Sequence, residues 1–389
     1  MRLDLERGVV RANIRGTVED LTTPPTDPDE VDAALAHIEG YIDTVELGVS
    51  PDPLLAKKSM YEALLYVLAA PFANERMRAT RERHGVVTSR GPKILYITGP
   101  SSNGKTAFLK FAMKILTGLN INPLDGQNHF KKDQVRAIRD LQTVFPIAFD
   151  DVLVRTNFET IVKPYWDTEW RPDLVFPQLI ITSNTDSLKE WAKTRMKVIH
   201  FDVHFIENKE NKDRLSALLS EDNPVFKWFS HLYLESLDPD RLLHDDQLRV
   251  PRDVMRQLYE FAERPLPEFF LDRPLEEVHD PGQHEWMRLI QLEKVTLLDK
   301  DDEAVIELAH DLEQVEVRRH IAHLPQEIKK RKAGKSIVIE NPKALYDWIA
   351  QEHWPIENNV EKGEERVDSS QSIFSKLFSR FGRRGSDET

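Results

Sequence analysis

The stretch that most constrains this chain is Ile94–Thr106, in which four apolar residues precede a loop bounded by Gly99 and Gly104. The apolar residues predict a buried strand, and the segment that follows the loop has the spacing of a helix. A strand, a G-x-x-x-x-G-K-T loop and a helix together form the context in which backbone N–H groups surround a phosphate. The alternative is a glycine-rich turn that arose by chance. The flanking strand and helix favour a phosphate-binding loop.

The residue types in this loop suit a nucleoside triphosphate. The two glycines permit backbone conformations that turn N–H groups toward a phosphate, and the helix N-terminus adds positive potential. A lysine here reaches the β- and γ-phosphates, and a following threonine hydroxyl binds Mg²⁺. We therefore expect ATP and Mg²⁺ at Gly99, Pro100, Ser101, Ser102, Asn103, Gly104, Lys105 and Thr106.

Composition excludes several other classes of protein. The chain has 389 residues, enough for two or three domains, and a formal net charge of −13, which argues against general coating of nucleic acid but leaves room for local basic patches. It contains no cysteine, which excludes disulfides, thiolate metal sites and cysteine nucleophiles. The charged start and the lack of a long apolar run predict a soluble protein of the cytoplasm, with no signal peptide or transmembrane segment.

Patterning along the chain predicts five segments. In order, they are an N-terminal strand and linker, a helical segment, an α/β core, a mostly α-helical domain and a disordered tail. The last carries a basic, amphipathic helix at 370–384. The predicted bounds of the five segments are 1–28, 29–90, 91–206, 207–355 and 356–389.

The fourth segment has helical spacing over most of its length. Its candidate helices are 211–219, 225–234, 251–263, 284–297 and 304–328. A basic turn at 329–335 then precedes a short strand, Ser336–Ile339, and a last helix at 342–351. The order of these elements fits a winged-helix element over 316–351, but a plain helical lid is the favoured interpretation because no recognition-helix pattern is clear.

Polar side chains follow two further apolar strands. Asp150 and Asp151 end the strand that begins at Phe145, and Asn184 ends the strand that begins at Leu174. Ligands of nucleotide-binding sheets lie at the carboxyl ends of strands. The first carboxylate is expected to bind Mg²⁺ and the second to orient or deprotonate the attacking water, with Asn184 near that water or the γ-phosphate. A surface turn is the alternative for the two aspartates, and the apolar strand before them disfavours it.

Three motifs, at 99–106, 147–151 and 178–184, resemble those of the superfamily 3 helicases, a branch of the AAA+ ATPases that includes viral and plasmid replication initiators. The resemblance covers about residues 91–205. It implies an α/β P-loop NTPase core of the AAA+/superfamily 3 helicase type, beside the N-terminal helical segment and the mostly α-helical C-terminal domain. It also implies ATP hydrolysis in a homo-oligomeric ring such as a hexamer, with DNA as a partner.

In that family an arginine just before the last core strand reaches the nucleotide of the neighbouring subunit. The segment Trp191–Met196 resembles the one that supplies it, which makes Arg195 the candidate arginine finger. The family also places a DNA-gripping hairpin between its second and third motifs. Here that region, 157–171, has Lys163 and Arg171 but no clear lysine-tipped hairpin. Its aromatic residues either stack on bases or pack against the sheet.

Three functions compete at this stage. The first is an ATP-driven nucleic-acid motor. The second is an ATPase switch that serves a partner effector, such as a nuclease in an anti-phage or mobile-element system, bound through the apolar face of the tail helix. An anionic membrane is a less favoured ligand for that face, which is formed by Ile373, Phe374, Leu377, Phe378 and Phe381. The third is a small-molecule kinase, which Asn184 and Arg195 disfavour.

Two basic stretches are candidates for further sites. The run Arg76–His84 is more typical of a solvated helix face than of a nucleic-acid contact. The sequence His129-Phe130-Lys131 begins a phospholipase D-type nuclease motif, but Arg136 stands at its acidic position. A nuclease would therefore have to be a separate chain.

Overall fold

A parallel sheet of five strands forms the centre of the protein. The structure is a computed structural model in which the described residues are 1–88, 91–99, 102–154, 158–185, 188–206, 208–244, 246–275, 286, 295–300, 303–308, 321, 324–325, 328–333 and 336–350. The strands of the sheet are β5 (Ile94–Thr98), β6 (Leu124–Asp125), β7 (Ile147–Asp150), β8 (Leu179–Ser183) and β9 (Met196–His200), in the order β6-β7-β8-β5-β9. Every neighbouring pair is parallel.

The sheet register aligns the strand ends that the sequence marked as polar. Thr98 at the end of β5 pairs with Ser183 of β8 and with His200 of β9, and Asp125 pairs with Asp150. The three predicted strands are confirmed, and β5 and β8 are buried along their whole length. The strand β8 starts at Leu179 rather than at the predicted Leu174. Pro177 lies between these positions and has no N–H to donate to a neighbouring strand, so the strand begins after it. The apolar character of the preceding segment reflects packing, since Phe176 is buried in the core.

Helices cover both faces of the sheet. The N-terminal helices are α1 (Pro28–Ile42), α2 (Pro53–Ala69) and α3 (Ala73–Thr88), with a 3₁₀ turn at Asp43–Leu47 between the first two. Within the core lie α4 (Lys105–Thr117), α5 (Gly126–His129), α6 (Lys132–Arg139), α7 (Phe158–Asp167) and α8 (Glu190–Lys193). The helices that follow the sheet are α9 (Lys209–Ser220), α10 (Val225–Glu235), α11 (Pro239–Leu242) and α12 (Arg249–Phe261).

Alternation along β5 divides the core into two clusters. Leu95 and Ile97 belong to a cluster that also contains apolar residues of α1, α2, α4, α10 and α12. Ile94 and Tyr96 point to the other face, where they pack with residues of α7 and with Trp170. Because successive side chains of a strand point to opposite faces, one continuously apolar strand can serve both layers. Helices that precede the sheet and helices that follow it thus pack together in the first of these two clusters.

The first 28 residues form more structure than one strand. They contain an antiparallel meander of β1 (Arg2–Asp4), β2 (Val9–Ile14) and β3 (Thr17–Asp20). The single strand predicted over 9–18 was wrong because Arg15 and Gly16 both have positive φ, at 51° and 89°, which is the signature of a tight hairpin turn. The meander is anchored to the rest of the molecule, since Val144 N donates to Met1 O at 3.2 Å.

The C-terminal region contains a second sheet, of which only the strand Ser336–Ile339 was predicted. Four antiparallel strands, β11 (Val295–Lys300), β12 (Glu303–Leu308), β13 (Lys330–Ala333) and β14 (Ser336–Ile339), lie in the order β11-β12-β14-β13. The helices predicted over 284–297 and 304–328 were therefore wrong at 295–297 and 304–308. A short apolar run fits the spacing of a helix and that of a strand equally well. Here the run forms a strand because its residues pair across the sheet, as Leu297 does with Ile306.

The remaining C-terminal predictions have mixed outcomes. The strand Ser336–Ile339 and the helix after it, Pro342–Ala350, are confirmed. The helical start of the winged-helix alternative, 316–328, lies mostly outside the described residues, and the amphipathic tail helix predicted at 370–384 lies entirely outside them. None of the described helices has the length and apolar character needed to cross a membrane.

Candidate phosphate and catalytic site

The loop after β5 has a conformation that its two glycines make possible. Gly99 and Gly104 have φ of +153° and +78°. A Cβ on Gly99 would lie 2.0 Å from the Asn103 amide nitrogen, and a Cβ on Gly104 would lie 2.7 Å from the Phe205 ring. Any other residue at these two positions would be strained and would collide with its neighbours. Pro100 and Ser101 lie outside the described residues.

Lys105 begins α4 and is 7% exposed. Its ammonium donates to Gly99 O at 2.9 Å, to Asn103 Oδ1 at 2.8 Å and to Asn184 Oδ1 at 2.9 Å. Burial lowers the pKa of this ammonium to about 8, although the Asp150 and Asp151 carboxylates act in the opposite direction. Lys105 is thus a buried cation that joins the loop to the end of β8.

Asp150 lies beside Thr106 at the end of β7. Its Oδ2 accepts from Thr106 Oγ1 at 2.6 Å, and its Oδ1 accepts from Thr182 Oγ1 at 2.5 Å. A hydroxyl and a carboxylate oxygen in contact are hard oxygen donors of the kind that Mg²⁺ takes, usually with substrate phosphates and waters as its other ligands. Thr106 and Asp150 therefore fit the predicted metal ligands by position and by chemistry.

Asp151 is held by amide donors on both of its oxygens. It has a φ of +56°, and its N–H donates to Thr182 Oγ1 at 2.9 Å. Its Oδ1 accepts from Asn184 Nδ2 at 3.0 Å, and its Oδ2 accepts from Gln127 Nε2 at 2.7 Å. A left-handed backbone at a non-glycine residue is uncommon and tends to occur at functional sites. The strained turn directs this carboxylate to the side of Asn184, away from the metal pair of Asp150 and Thr106.

Sequence analysis missed Gln127. It lies in α5, just after the short strand β6, and the register that pairs Asp125 with Asp150 brings it to Asp151. Gly126 makes this approach possible, because a Cβ there would lie 2.4 Å from Val152 Cγ2 and 2.6 Å from Asp150 O. The local signal in the sequence is the Asp125-Gly126 pair, which by itself indicates only a turn.

Arg195 lies away from the loop of its own chain. Its carbonyl accepts from Ile94 N at 2.9 Å, at the start of β5, whereas the loop follows the far end of that strand. Five strand residues separate the two, a distance of roughly 16 Å. The guanidinium pairs with Asp167, with Nε and Nη2 at 2.8 and 2.7 Å from Oδ2. The structure thus brings together every other predicted catalytic residue but not Arg195.

Other candidate contacts for nucleic acid turn out to bind the protein itself. The aromatic residues Phe158, Tyr165, Trp166 and Trp170 are all buried in the core, so packing against the sheet, and not base stacking, is what they do. The arginines of the run at 76–84 also contact protein groups: Arg81 donates to Asp167 O at 2.7 Å, and Arg83 pairs with Asp240 at 2.9 Å. On α6, by contrast, Lys132 and Arg136 are exposed.

Comparison with known proteins agrees with the loop and the sheet. A family model described as the Aq_aa27 P-loop NTPase domain matches residues 17–187, a range that includes Lys105, Asp151 and Asn184. No curated protein matches the chain. A solved structure described as "SCCmec type IV Cch - active helicase" is similar at 13% identity and a TM-score of 0.36, over 85% of this chain and 73% of that one. The loop, the parallel sheet and the family match define a P-loop NTPase domain.

Proposed function

We propose that this protein hydrolyses ATP with Mg²⁺ at the carboxyl edge of its five-stranded sheet. One observation carries the proposal: hydrogen bonds connect the predicted groups from three strand ends. Lys105 contacts Asn184, Asn184 contacts Asp151, and Thr106 contacts Asp150. Phosphoryl transfer depends mainly on positioning and on stabilising charge, and this set contains groups for both tasks.

Each side chain has a task that its position suits. Lys105 exchanges its present acceptors for oxygens of the β- and γ-phosphates. Asp151 accepts a hydrogen bond from the attacking water and orients it, and Asn184 keeps that carboxylate in place while it contacts the γ-phosphate or the water. Thr106 and Asp150 would hold Mg²⁺, which neutralises negative charge on the phosphates when it is bound.

Two variants test the assignment. Lys105→Ala should abolish ATP hydrolysis and leave the circular dichroism spectrum unchanged, because it removes the cation that faces the phosphates. Asp151→Asn should still bind ATP but fail to cleave it, because the water loses its orienting carboxylate. Wild-type turnover in Lys105→Ala would refute the site. Loss of ATP binding in Asp151→Asn would show instead that Asp151 is a structural residue or a metal ligand.

We further propose that hydrolysis drives movement along nucleic acid, in a ring of identical subunits like that of the superfamily 3 helicases. The three motifs support this step, and so do the exposed Lys132 and Arg136, which lie on the helix that follows Gln127. Basic side chains of this kind bind phosphate backbones without regard to sequence. Single-stranded DNA should therefore raise the ATPase rate of a motor.

The second candidate is an ATPase module that regulates a partner effector, such as a nuclease. One observation favours it: the aromatic residues of 158–170 are buried and cannot stack on bases. The same assay separates the two functions, because a regulatory ATPase should be indifferent to single-stranded DNA. The partner should then bind through the tail, and deletion of 369–389 should abolish that association while ATPase activity remains.

A further inference from the structure

A cavity of about 220 Å³ opens beside the phosphate-binding loop. That is far larger than the roughly 10–15 Å³ that a single water needs. The loop residues Ser102, Gly104 and Ala107 form one wall of the cavity. A nucleotide whose phosphates lie on the loop must place its base within one nucleotide's length of these residues, and this cavity lies within that reach.

Three separate parts of the chain form the remaining walls. Leu47 comes from the 3₁₀ turn after α1, Leu215 comes from α9, and Phe205 and Ile206 come from the segment between β9 and α9. Phe205 belongs to a short strand, β10 (His204–Phe205), which pairs with β4 (Gly48–Val49). The Phe205 N–H also donates to Ser102 O at 2.9 Å, which fixes this wall to the loop itself.

The walls present apolar surface and few unused donors. Ile206 is 52% exposed and lies on the cavity wall, where a bound ligand would cover it. The polar groups are mostly engaged already. Thr44 Oγ1 donates to Tyr41 O at 2.7 Å, and the Asn211 amide donates to Leu47 O at 3.3 Å and to Ile206 O at 3.0 Å. The lining also contains Lys212, but this side chain is exposed and not buried against the cavity, so its ammonium is not a fixed contact to the edge of one particular base.

We propose that this cavity is a nucleobase pocket that selects purines by size and apolar contact, so that the protein uses both ATP and GTP. The proposal rests on the proposed binding of triphosphate at the loop. A purine fills more of an apolar slot than a pyrimidine does, and a pocket that recognises size alone discriminates by about tenfold to a hundredfold. Discrimination between adenine and guanine would need buried, unpaired polar groups that point at the base.

Equilibrium binding of the full chain to five probes tests this pocket: ATP, GTP, CTP, UTP and inorganic tripolyphosphate, which has no base. Affinities for ATP and GTP should agree within about tenfold, and both should exceed those for CTP, UTP and tripolyphosphate by at least about tenfold. Equal affinity for ATP and tripolyphosphate would overturn the pocket. A preference for ATP over GTP of more than about a hundredfold, or equal binding of CTP and ATP, would overturn selection by size.

Substitutions in the cavity wall test whether the base contributes to affinity at this site. Leu215→Trp should fill the cavity and lower ATP and GTP affinity by at least about tenfold, with tripolyphosphate affinity unchanged, whereas Ser216→Trp on the exposed side of the same helix should leave all five affinities unchanged. Phe205→Ala should act in the same direction as Leu215→Trp. Retained tripolyphosphate binding shows that each variant is folded.

The outcomes separate this proposal from the one it rests on. Lys105→Ala should weaken tripolyphosphate and ATP alike, because it acts on the phosphates. If neither Leu215→Trp nor Phe205→Ala changes ATP affinity, the pocket is wrong and the phosphate site stands. If the wild-type chain binds neither ATP nor tripolyphosphate, the proposed function fails and the pocket fails with it.

Discussion

Asn184 donates a hydrogen bond of 3.0 Å from its side-chain amide to Asp151 Oδ1. The amide oxygen of Asn184 accepts at the same time from Lys105 Nζ at 2.9 Å. One side chain at the end of β8 therefore bridges the cation that faces the phosphates and the carboxylate that faces the water. Such a bridge should matter more to the chemical step than to nucleotide binding.

We expect Asn184→Ala to lower kcat by about 10²–10³, the effect of removing one aligned donor from a charged transition state. The affinity for ATP should change much less, because Lys105 and the loop remain. Steady-state ATPase kinetics and equilibrium binding measure the two effects. Asn128→Ala is the matched control, since Asn128 is an exposed asparagine of the neighbouring segment that contacts Asp125. A rise in KM at unchanged kcat would contradict this role.

Gln127 should act as a positioning residue for Asp151. Gln127→Ala removes one of the two amide donors to that carboxylate and should lower kcat by about tenfold or more, the low end of the range for a hydrogen bond to a charged group. Gln127→Glu keeps the size of the side chain but sets a second carboxylate against Asp151, so its effect should be larger. Comparing kcat for the two variants tests the contact. A faster Gln127→Ala enzyme would show that the contact restrains Asp151.

Phosphate binding should weaken as the pH rises through the pKa of Lys105. Burial lowers that pKa to about 8, and only the protonated form attracts a phosphate. Tripolyphosphate affinity, measured in EDTA, should therefore fall above pH 8 by up to about tenfold per pH unit. In Lys105→Arg the cation persists at every accessible pH, so its affinity profile should be flat.

The lowered pKa of Lys105 affects folding stability in the opposite direction to phosphate binding. The pKa of Lys105 lies below its ordinary value of 10.5, so the unfolded chain holds more protons than the folded chain between about pH 8 and 10.5. Lys105 should therefore make the free energy of unfolding rise with pH across that window. Urea denaturation of the wild type and of Lys105→Arg at several pH values would isolate this contribution. A wild-type profile that matches that of the arginine variant would refute the lowered pKa.

Sequence patterns predicted the parts of the site that are local. The loop at 99–106 and the polar ends of β7 and β8 each occupy a few consecutive residues, and their chemistry is visible without a fold. The contact of Gln127 with Asp151 depends on how β6 pairs with β7, which no local pattern reports. The cavity depends on still longer connections, because Leu47 and Leu215 meet only after the sheet and two helical regions have assembled.

The C-terminal strands show a different limit of predicting structure from sequence. Val305 and Ile306 lie in a short apolar run that suits a helix face as well as a strand, and only pairing with β11 and β14 makes it a strand. Propensity is a weak guide where tertiary contacts decide the outcome. At residues 15–16, in contrast, the local sequence contains the signal that the strand prediction did not use: a glycine interrupts the alternating run.

A buried ionic cluster joins the sheet to the helices. Glu62 of α2 pairs with Lys197 of β9 at 2.5 Å and with Arg252 of α12 at 3.3 Å, and all three side chains are 3–4% exposed. Glu62→Gln removes the carboxylate that the two buried cations share, although Arg252 keeps its pair with Asp246, and should cost about 3–5 kcal/mol of unfolding free energy. Asp240→Asn, at an exposed ion pair with Arg83, should cost less than about 1 kcal/mol. Equal costs in urea denaturation would show that the cluster contributes nothing special.

The arginine finger assigned to Arg195 remains a prediction, and its position defines the test. The backbone of Arg195 lies at the amino end of β5, roughly 16 Å along the strand from the loop of its own chain, so we expect its side chain to serve a γ-phosphate in a neighbouring subunit. Its contact with Asp167 would have to loosen for this to happen. Arg195→Ala alone should then lower kcat by about 10³–10⁵.

Mixing Arg195→Ala with Lys105→Ala decides whether that contact exists. Each variant alone should be inactive, but mixed oligomers contain interfaces where an intact loop meets an intact arginine. Activity should therefore recover in part on mixing, in proportion to the fraction of such interfaces. The matched control is Arg83→Ala mixed with Lys105→Ala, because Arg83 lies in an exposed ion pair and its loss should not lower activity by itself. Two observations would reject action between subunits: no recovery in oligomers shown to be mixed, or full ATPase activity in a strictly monomeric protein.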